Sequence, residues 1–205
     1  MDKKALYSLS YGVFLLSVKT KEKENACITN VGVQVANDPT RIAISVLNTN
    51  LTCELLKQSG VFVLSALDKT FPFETIKHFG MQSGRDVEKF KGLNVQRDSN
   101  DIPYLTEHVS AIISARVVKQ EDLGTHTLFI AEVTDAVSLT GAEPMTYAYY
   151  QAEVKPKKQT NSAKKIIGWR CVICQYVYEG ETLPDDYTCP LCGHPKEDFE
   201  PIYES

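Results

Sequence analysis

The sequence predicts a mainly β (α+β) protein built from two domains. Residues 1–154 contain several long segments rich in Val, Ile, Thr and aromatic side chains, with few helix signals between them. Residues 155–165 contain five lysines, no acid and no apolar side chain larger than Ala, which is typical of a linker. Residues 166–205 hold four of the six cysteines. We therefore expect a larger β domain, a lysine-rich linker and a small cysteine-containing domain.

The strands of the larger domain are expected where β-branched and aromatic residues concentrate. Five segments have this composition: Tyr11–Val18, Arg41–Leu47, Val61–Leu67, Val109–Lys119 and Thr127–Leu139. Because long strands outnumber helices and do not alternate with them, the pattern favours an antiparallel barrel over parallel βαβ units.

Helices are expected at two places in the larger domain. Leu51–Ser59 has leucines on one face and is followed by Gly60, a residue suited to the left-handed conformation that ends many helices. Pro72–Phe79 begins with proline at a plausible first turn and stops at Gly80. A further turn is expected over Asp86–Phe90.

Composition and charge exclude several classes of protein. The 22 basic and 26 acidic side chains give a net charge of −4, whereas a protein that binds nucleic acid normally has a basic surplus. No apolar run approaches the ~20 residues that a membrane helix needs, and no G-x-G-x-x-G or P-loop pattern occurs. The short apolar run after Lys3 and Lys4 leads into the charged segment Lys19–Glu24, which favours a strand over a secretory signal. We therefore expect a cytoplasmic protein with reduced thiols.

Four cysteines form two Cys-x-x-Cys pairs, Cys171 with Cys174 and Cys189 with Cys192, separated by 14 residues. Each pair can place two thiolates on a tight turn, and two facing turns make a tetrahedral site with four sulfur ligands. The alternative is a pair of disulfides, which a reducing compartment disfavours. Both Zn²⁺ and a single iron accept this ligand set, so the spacing alone leaves the metal open.

The sequence around these cysteines resembles rubredoxin over residues 167–202. The shared pattern runs from Trp169 to Tyr178 and continues with Leu-Pro and Cys-Pro-x-Cys-Gly. The resemblance implies one iron bound by the four cysteines and an aromatic core. Residues 166–205 carry two basic and eight acidic side chains, a surface that would dock on a basic redox partner. Gln175 departs from the usual glycine, so its turn is either strained or different.

Polar side chains also cluster at two places in the larger domain. They interrupt the strand-like segment at Asn25, Thr29 and Asn30 and gather again over Asn48–Thr52, just before the first expected helix. Small hydroxyl and amide side chains beside free helix N–H groups suit a phosphate anion. The alternative for Asn50 or Thr52 is a simple N-cap.

The larger domain resembles the FMN-binding flavin reductase-like family, which includes flavoredoxin and has a split-barrel fold. The resemblance covers residues 5–152, with Asn-Ala-x-x-Thr-Asn, Asn-x-Asn-Leu-Thr, Phe79-Gly80 and the segment Gly124–Val133 in matching order. Thr125 and Ala131 depart from the usual pattern. The resemblance implies FMN at a homodimer interface.

The same resemblance implies roles for individual residues. The strand around Cys27–Asn30, which includes Ile28 and Thr29, would line the isoalloxazine ring. Asn25 and Ala26, just before it, also belong to the candidate cofactor-binding set. Asn48, Thr49, Asn50 and Thr52 would hold the ribityl chain and phosphate, and Gly80 and Arg85 complete the candidate set. His126 would lie near the exposed ring face where nicotinamide stacks.

Simpler interpretations stand beside these roles. His126 is alternatively a strand residue bonded to the backbone, and Arg85 a solvated surface arginine. Cys27 and Cys53 have no partner spacing that marks a redox role and are expected to be small buried hydrophobes.

The order of the two domains resembles that of the high-molecular-weight rubredoxins. The resemblance implies that FMN takes a hydride from NADH or NADPH and that single electrons pass to the iron and then to an acceptor such as a flavodiiron protein. The alternatives are an electron carrier without NAD(P)H activity of its own, and a flavin-binding sensor with a structural zinc ribbon.

Overall fold

The computed structural model describes residues 3–156 and 165–204. The chain divides into two compact units, Met1–Lys155 and Pro156–Ser205. Most of the predicted linker, residues 157–164, lies outside the described residues. Among the helices that the structure describes, none has the length and apolarity needed to cross a membrane.

The first unit is dominated by strands. The residues of this unit that the structure describes form nine strands: β1 Phe14–Lys19, β2 Glu24–Thr29, β3 Gly32–Asn37, β4 Thr40–Leu47, β5 Val61–Leu67, β6 Gln96–Arg97, β7 Pro103–Tyr104, β8 Val109–Asp122 and β9 His126–Ser138. Seven of them form an antiparallel sheet in the order β2-β1-β5-β8-β9-β4-β3, while β6 and β7 pair separately. The two edge strands, β2 and β3, are consecutive in the chain with only Asn30 and Val31 between them. The sheet therefore curls into an incompletely closed barrel, and the predicted mainly β fold is confirmed.

Helix α1 spans Leu51–Ser59, as expected from the sequence. Asn50 is its N-cap, and the Asn50 side chain accepts a hydrogen bond of 2.9 Å from the Thr52 amide. Gly60 ends the helix with φ of 67°, a conformation that costs glycine little. The apolar face of α1 (Cys53, Leu55 and Leu56) packs into the barrel interior together with Phe62 and Phe129.

Helix α2 spans Phe73–Gly80, so it begins one residue later than predicted and includes the glycine expected to stop it. Pro72 occupies the N-cap position with φ of −65°. Ile76 and Phe79 pack in a second core, on the opposite side of the sheet from the barrel interior. The segment Asp86–Phe90 contains turns but no helix.

Other bounds differ from the prediction for identifiable reasons. β1 begins at Phe14 rather than at Tyr11, and β8 continues three residues beyond Lys119 through exposed polar positions that carry no hydrophobic signal. The sequence also gave no signal for a 3-10 helix at Lys3–Ser8. Near the end of the unit, α3 (Tyr147–Tyr149) begins where the Thr146 hydroxyl accepts a hydrogen bond from the Tyr149 amide at 3.1 Å, and a π-helix follows over Tyr150–Val154.

The second unit is a small sheet with an aromatic core. Strands β10 (Ile166–Cys171), β11 (Val177–Glu179) and β12 (Phe199–Tyr203) pair antiparallel in the order β11-β10-β12. The ring of Tyr187 lies edge-on to Tyr178 at 4.7 Å and to the fully buried Phe199 at 5.3 Å between centroids. The aromatic residues thus supply the core that so short a unit otherwise lacks.

Candidate functional site

The four cysteines of the second unit converge on one point. Their Sγ atoms all lie within 4.8 Å of one another, with 3.6 Å between Cys171 and Cys192 and 3.4 Å between Cys174 and Cys189. A disulfide would need about 2.05 Å, and all six cysteines of the chain, each among the described residues, are free. A tetrahedral metal with bonds of about 2.3 Å separates its sulfur ligands by roughly 3.8 Å. The cluster therefore fits a single metal ion, and the disulfide alternative is wrong.

The two Cys-x-x-Cys turns have the same backbone geometry. The Gln175 amide donates to the Cys171 carbonyl at 2.9 Å, as the Gly193 amide does to that of Cys189 at 2.8 Å. Gln175 and Gly193 occupy equivalent places with φ of 65° and 73°. Of the two outcomes expected at Gln175, the structure therefore shows the strained one, a left-handed conformation without glycine.

The left-handed residues direct main-chain N–H groups toward sulfur. The amide after each one, from Tyr176 and from His194, donates to the Sγ of Cys174 and of Cys192. The pKa of Cys171 falls to about 5, first because the Cys192 thiol donates a hydrogen bond to it and then because main-chain amides do so. Since a metal binds thiolates, the Cys192 proton leaves when all four sulfurs become ligands, and the main-chain amides remain as the donors that stabilise the thiolates.

A second cluster of candidate residues surrounds the N-terminus of α1. The Arg85 Nη1 donates to the Thr49 carbonyl at 3.3 Å, and its Nη2 pairs with the Glu54 carboxylate. The Asn25 Nδ2 donates to Thr52 Oγ1 at 3.0 Å. We call this group (Asn25, Thr49, Asn50, Thr52 and Arg85) the α1 cradle. The Thr52 amide is already bonded to Asn50, so a phosphate here would be held by the positive end of the α1 dipole and by the Arg85 guanidinium. On that ground the cradle fits the phosphate end of FMN.

Gly84 closes one side of the α1 cradle, and sequence reasoning missed it. A Cβ atom at Gly84 would lie 2.0 Å from Asn25 Oδ1, so the backbone there needs the space that glycine leaves. Asn25 is 1% exposed, and its Oδ1 has no hydrogen-bond partner among the residues that the structure describes. A buried acceptor without a partner costs about 1–3 kcal/mol, and the close approach of Gly84 leaves no space for a ligand atom beside this oxygen.

Asn48 and His126 both lie near the tip of the β8–β9 hairpin. The Asn48 Nδ2 donates to the Gly124 carbonyl at 2.9 Å, and Thr127 Oγ1 donates to Asn48 Oδ1 at 2.6 Å. His126 is the first residue of β9, opposite Leu47, and its Nδ1 lies 2.9 Å from Thr125 Oγ1. The Asn48 side chain thus joins the hairpin to the segment before α1 and holds half-exposed His126 beside that segment.

The remaining candidates lie on β2 and at the end of α2. Ile28 and Gly80 are in contact, since a Cβ at Gly80 would lie 3.2 Å from the Ile28 side chain. Thr29 Oγ1 donates to the Ser45 carbonyl at 3.2 Å, and Asn30 follows the strand at a half-exposed position. The side chains of Ala26 and Cys27 are buried, so any contact of these two residues with a ligand would come from the main chain.

The two cysteines of the first unit are core residues. Cys27 and Cys53 pack among the apolar side chains of the barrel interior. Burial raises the pKa of Cys27 to about 11 and also raises that of Cys53. The interpretation of both as small buried hydrophobes is confirmed.

Comparison with known proteins identifies a family for each of the two units. The flavin reductase like domain family matches residues 6–158, and the rubrerythrin, rubredoxin-like domain family matches residues 169–200. The high molecular weight rubredoxin of Moorella thermoacetica is 35% identical over 98% of this chain and 100% of its own length. The ferric-chelate reductase (NAD(P)H) of Archaeoglobus fulgidus is 37% identical over 77% of this chain and 93% of its own length. A crystal structure of an FMN-binding protein from Thermus thermophilus superposes with a TM-score of 0.61 at 20% identity, covering 67% of this chain and 79% of that one, and supports the fold.

Proposed function

Because the chain belongs to the flavin reductase-like family and is a homologue of high molecular weight rubredoxin, we propose that it is an NAD(P)H-dependent oxidoreductase that delivers single electrons through a rubredoxin iron. The observation that carries the proposal is the presence, in one chain, of a four-sulfur cage with spacings of 3.4 and 3.6 Å and a flavin reductase-like unit. When bound, FMN would accept a hydride and release its electrons one at a time, while a thiolate-bound iron carries one.

The residues of the α1 cradle would hold the phosphate end of FMN. The Arg85 guanidinium and the N-terminal dipole of α1 would supply the positive charge, and the buried hydrogen bond between Asn25 and Thr52 would hold β2 against α1. Arg85 already pairs with Glu54, so a phosphate would share the guanidinium with that carboxylate. His126 lies at the hairpin tip next to Asn48, a position from which it would orient the nicotinamide of NADH or NADPH.

The cysteine cage would hold iron rather than zinc. Both metals fit four thiolates, so the support comes from the rubredoxin-like match. The amides of Tyr176 and His194 donate to two of the sulfurs and would offset the negative charge that the cage gains on reduction.

An external redox protein such as a flavodiiron protein would receive the electrons. Residues 166–205 carry eight acidic and two basic side chains, which suits transient docking on a basic surface. A rate of electron delivery that falls as salt is added would support this docking, and a rate independent of salt would contradict it.

A homodimer would cover the exposed apolar side chains of edge strand β3. Val33 and Val35 are 56% and 51% exposed, and an apolar groove lined by Phe14, Ile113 and Val133 adjoins them. A second copy is the occupant we infer, because an edge strand also presents unpaired backbone groups for a strand of the same type. Val35→Lys should convert the dimer to a monomer in analytical ultracentrifugation, and a wild-type monomer would refute the inference.

The decisive test combines one spectrum with one rapid-mixing experiment. The purified full-length protein should show ferric–thiolate bands together with flavin bands, whereas flavin bands with zinc by elemental analysis would exclude iron. Anaerobic mixing with NADH and with NADPH should bleach first the flavin and then the iron bands. In Cys189→Ser the flavin should still bleach while no iron band is present. No bleaching of wild-type flavin by either nucleotide would leave the protein as an electron carrier only.

A second candidate function is the reduction of ferric chelates by the first unit alone. It is favoured by the 37% identity to the ferric-chelate reductase, which spans 93% of that relative's length. Cys189→Ser separates the two functions, because it should abolish electron delivery through the cage but leave reduction of ferric citrate by NAD(P)H unchanged.

A further inference from the structure

Lys89 is a buried lysine that the proposed function does not use. Only 2% of the Lys89 surface is exposed to solvent. The ammonium donates to three main-chain carbonyls, those of His78, of Phe79 at 3.2 Å and of Gln82 at 2.7 Å. The first two belong to the last turn of α2, where free carbonyls concentrate negative partial charge.

His78 and Lys89 bond to each other at the two ends of the segment that follows α2. His78 Nε2 lies 2.8 Å from the Lys89 carbonyl, so each of the two residues bonds to the main chain of the other. Burial lowers the pKa of Lys89 to about 8, which is the cost of keeping an ammonium at this position. In return, the Lys89 ammonium holds the Gln82 carbonyl, and His78 holds the Lys89 carbonyl. Both ends of the segment 82–88 are thereby constrained.

The segment fastened in this way carries two residues of the phosphate site. Gly84 lies against the Asn25 amide with no room for a Cβ, and Arg85 reaches the Thr49 carbonyl. Within the segment, the amides of Asp86 and Val87 both donate to the Ser83 carbonyl at 3.1 Å. A compact turn tied to α2 by Lys89 thus brings Arg85 to the α1 cradle.

We propose that Lys89 is a positioning residue that gives the flavin site its preference for a phosphorylated flavin. It acts by holding the Ser83–Arg85 turn at the α1 cradle, and it touches neither the flavin ring nor the nucleotide. The inference rests on the proposed function, because it assumes that the cradle binds the phosphate of FMN. Riboflavin lacks that phosphate, so its affinity should not depend on where Arg85 lies.

The test is to titrate FMN and riboflavin into flavin-free, full-length protein and to follow flavin fluorescence. Lys89→Met should weaken FMN binding about 10-fold or more, which corresponds to about 1.4 kcal/mol, and leave riboflavin binding within about 2-fold. Arg85→Gln should produce the same selective loss, and the double variant should lose little more than either single one, because both changes remove one contact. Lys91→Met is the matched control, since the Lys91 side chain is 80% exposed and pairs with Glu88 on the surface.

A second variant keeps the test informative if Lys89→Met does not fold. His78→Ala removes the bond to the Lys89 carbonyl without leaving an unpaired buried charge, so it should weaken FMN binding selectively by a smaller factor. Equal losses of FMN and riboflavin affinity, or an unchanged FMN affinity in the folded variants, would overturn the positioning role. If the wild type binds both flavins equally well, only this inference fails, and if it binds neither, the proposed function fails with it.

Discussion

The contact between Gly84 and Asn25 is the sharpest test of how the α1 cradle is built. In Gly84→Ala the new Cβ would lie 2.0 Å from Oδ1, 2.6 Å from Cγ and 2.8 Å from Nδ2 of Asn25, all inside the 3.0 Å below which something must shift. Either the Asn25 amide or the turn that carries Arg85 has to move by about 1 Å. Overpacking of this kind costs about 1–3 kcal/mol, and loss of the buried hydrogen bond to Thr52 adds about 1 kcal/mol.

We therefore expect Gly84→Ala to lower the free energy of unfolding of the first unit by about 2–4 kcal/mol. Gly141→Ala is the control, because its Cβ would meet no described atom within 4 Å, and it should change stability by less than about 0.5 kcal/mol. Urea unfolding followed by far-ultraviolet circular dichroism measures this change, since Trp169, the single tryptophan, lies in the second unit and does not report on the first.

A double-mutant cycle identifies the clash as the cause. Asn25→Ala alone should cost about 1–2 kcal/mol, because the hydrogen bond to Thr52 is lost. In the Asn25→Ala/Gly84→Ala protein the methyl group has room, so the two costs should fall short of additivity by about 2 kcal/mol. Full additivity, or wild-type stability of Gly84→Ala, would refute the close approach and with it the account of the α1 cradle.

Three further predictions concern cysteines and the metal turns. Cys189→Ser should leave less than about a tenth of an equivalent of bound metal by elemental analysis, while Cys53→Ala should keep the wild-type content, and equal loss in both would contradict the assignment of ligands. Gly193→Ala should destabilise the second unit by about 1 kcal/mol through its φ of 73° alone, since its Cβ meets no described atom, and Gln175→Gly should not destabilise it. Because burial raises the pKa of Cys27 from 9.0 to about 11, its contribution to stability is complete below pH 9 and disappears as the pH rises to about 11. The stability difference between wild type and Cys27→Ala, from urea midpoints on either side of this window, should therefore shrink at high pH, and a constant difference would contradict the raised pKa.

The metal site could be predicted from sequence because its geometry is local. Each Cys-x-x-Cys pair fixes two sulfurs within one turn, so only the approach of the two turns depends on tertiary structure. The bounds of α1 were predictable for a similar reason, since Asn50 and Gly60 stand at its two ends with side chains suited to those positions. Metal-binding turns and helix caps are each encoded within a few neighbouring residues, so they can be predicted without knowledge of the tertiary fold.

The α1 cradle was only partly predictable because its contacts join distant segments. Asn25 meets Thr52 and Gly84 through the arrangement of β2, α1 and the turn after α2, and no local pattern encodes that arrangement. Lys89 gave no signal either, since a lysine in a polar stretch is normally solvated. The outer half of the β8–β9 hairpin was missed in part, because its exposed polar residues form strand through pairing with each other rather than through an apolar face.

Gln175 shows why a left-handed position at a metal site does not require glycine. A left-handed residue other than glycine costs about 1–2 kcal/mol. A structural metal bound by such ligands contributes apparent free energies of about 10–16 kcal/mol in small zinc-binding peptides. Two hydrogen bonds also constrain the backbone of Gln175. Its own amide donates to the Cys171 carbonyl, and the amide of Tyr176 donates to Cys174 Sγ. Since both of these bonds involve the main chain, the turn keeps its shape whatever side chain occupies the position, and metal binding exceeds the strain several-fold.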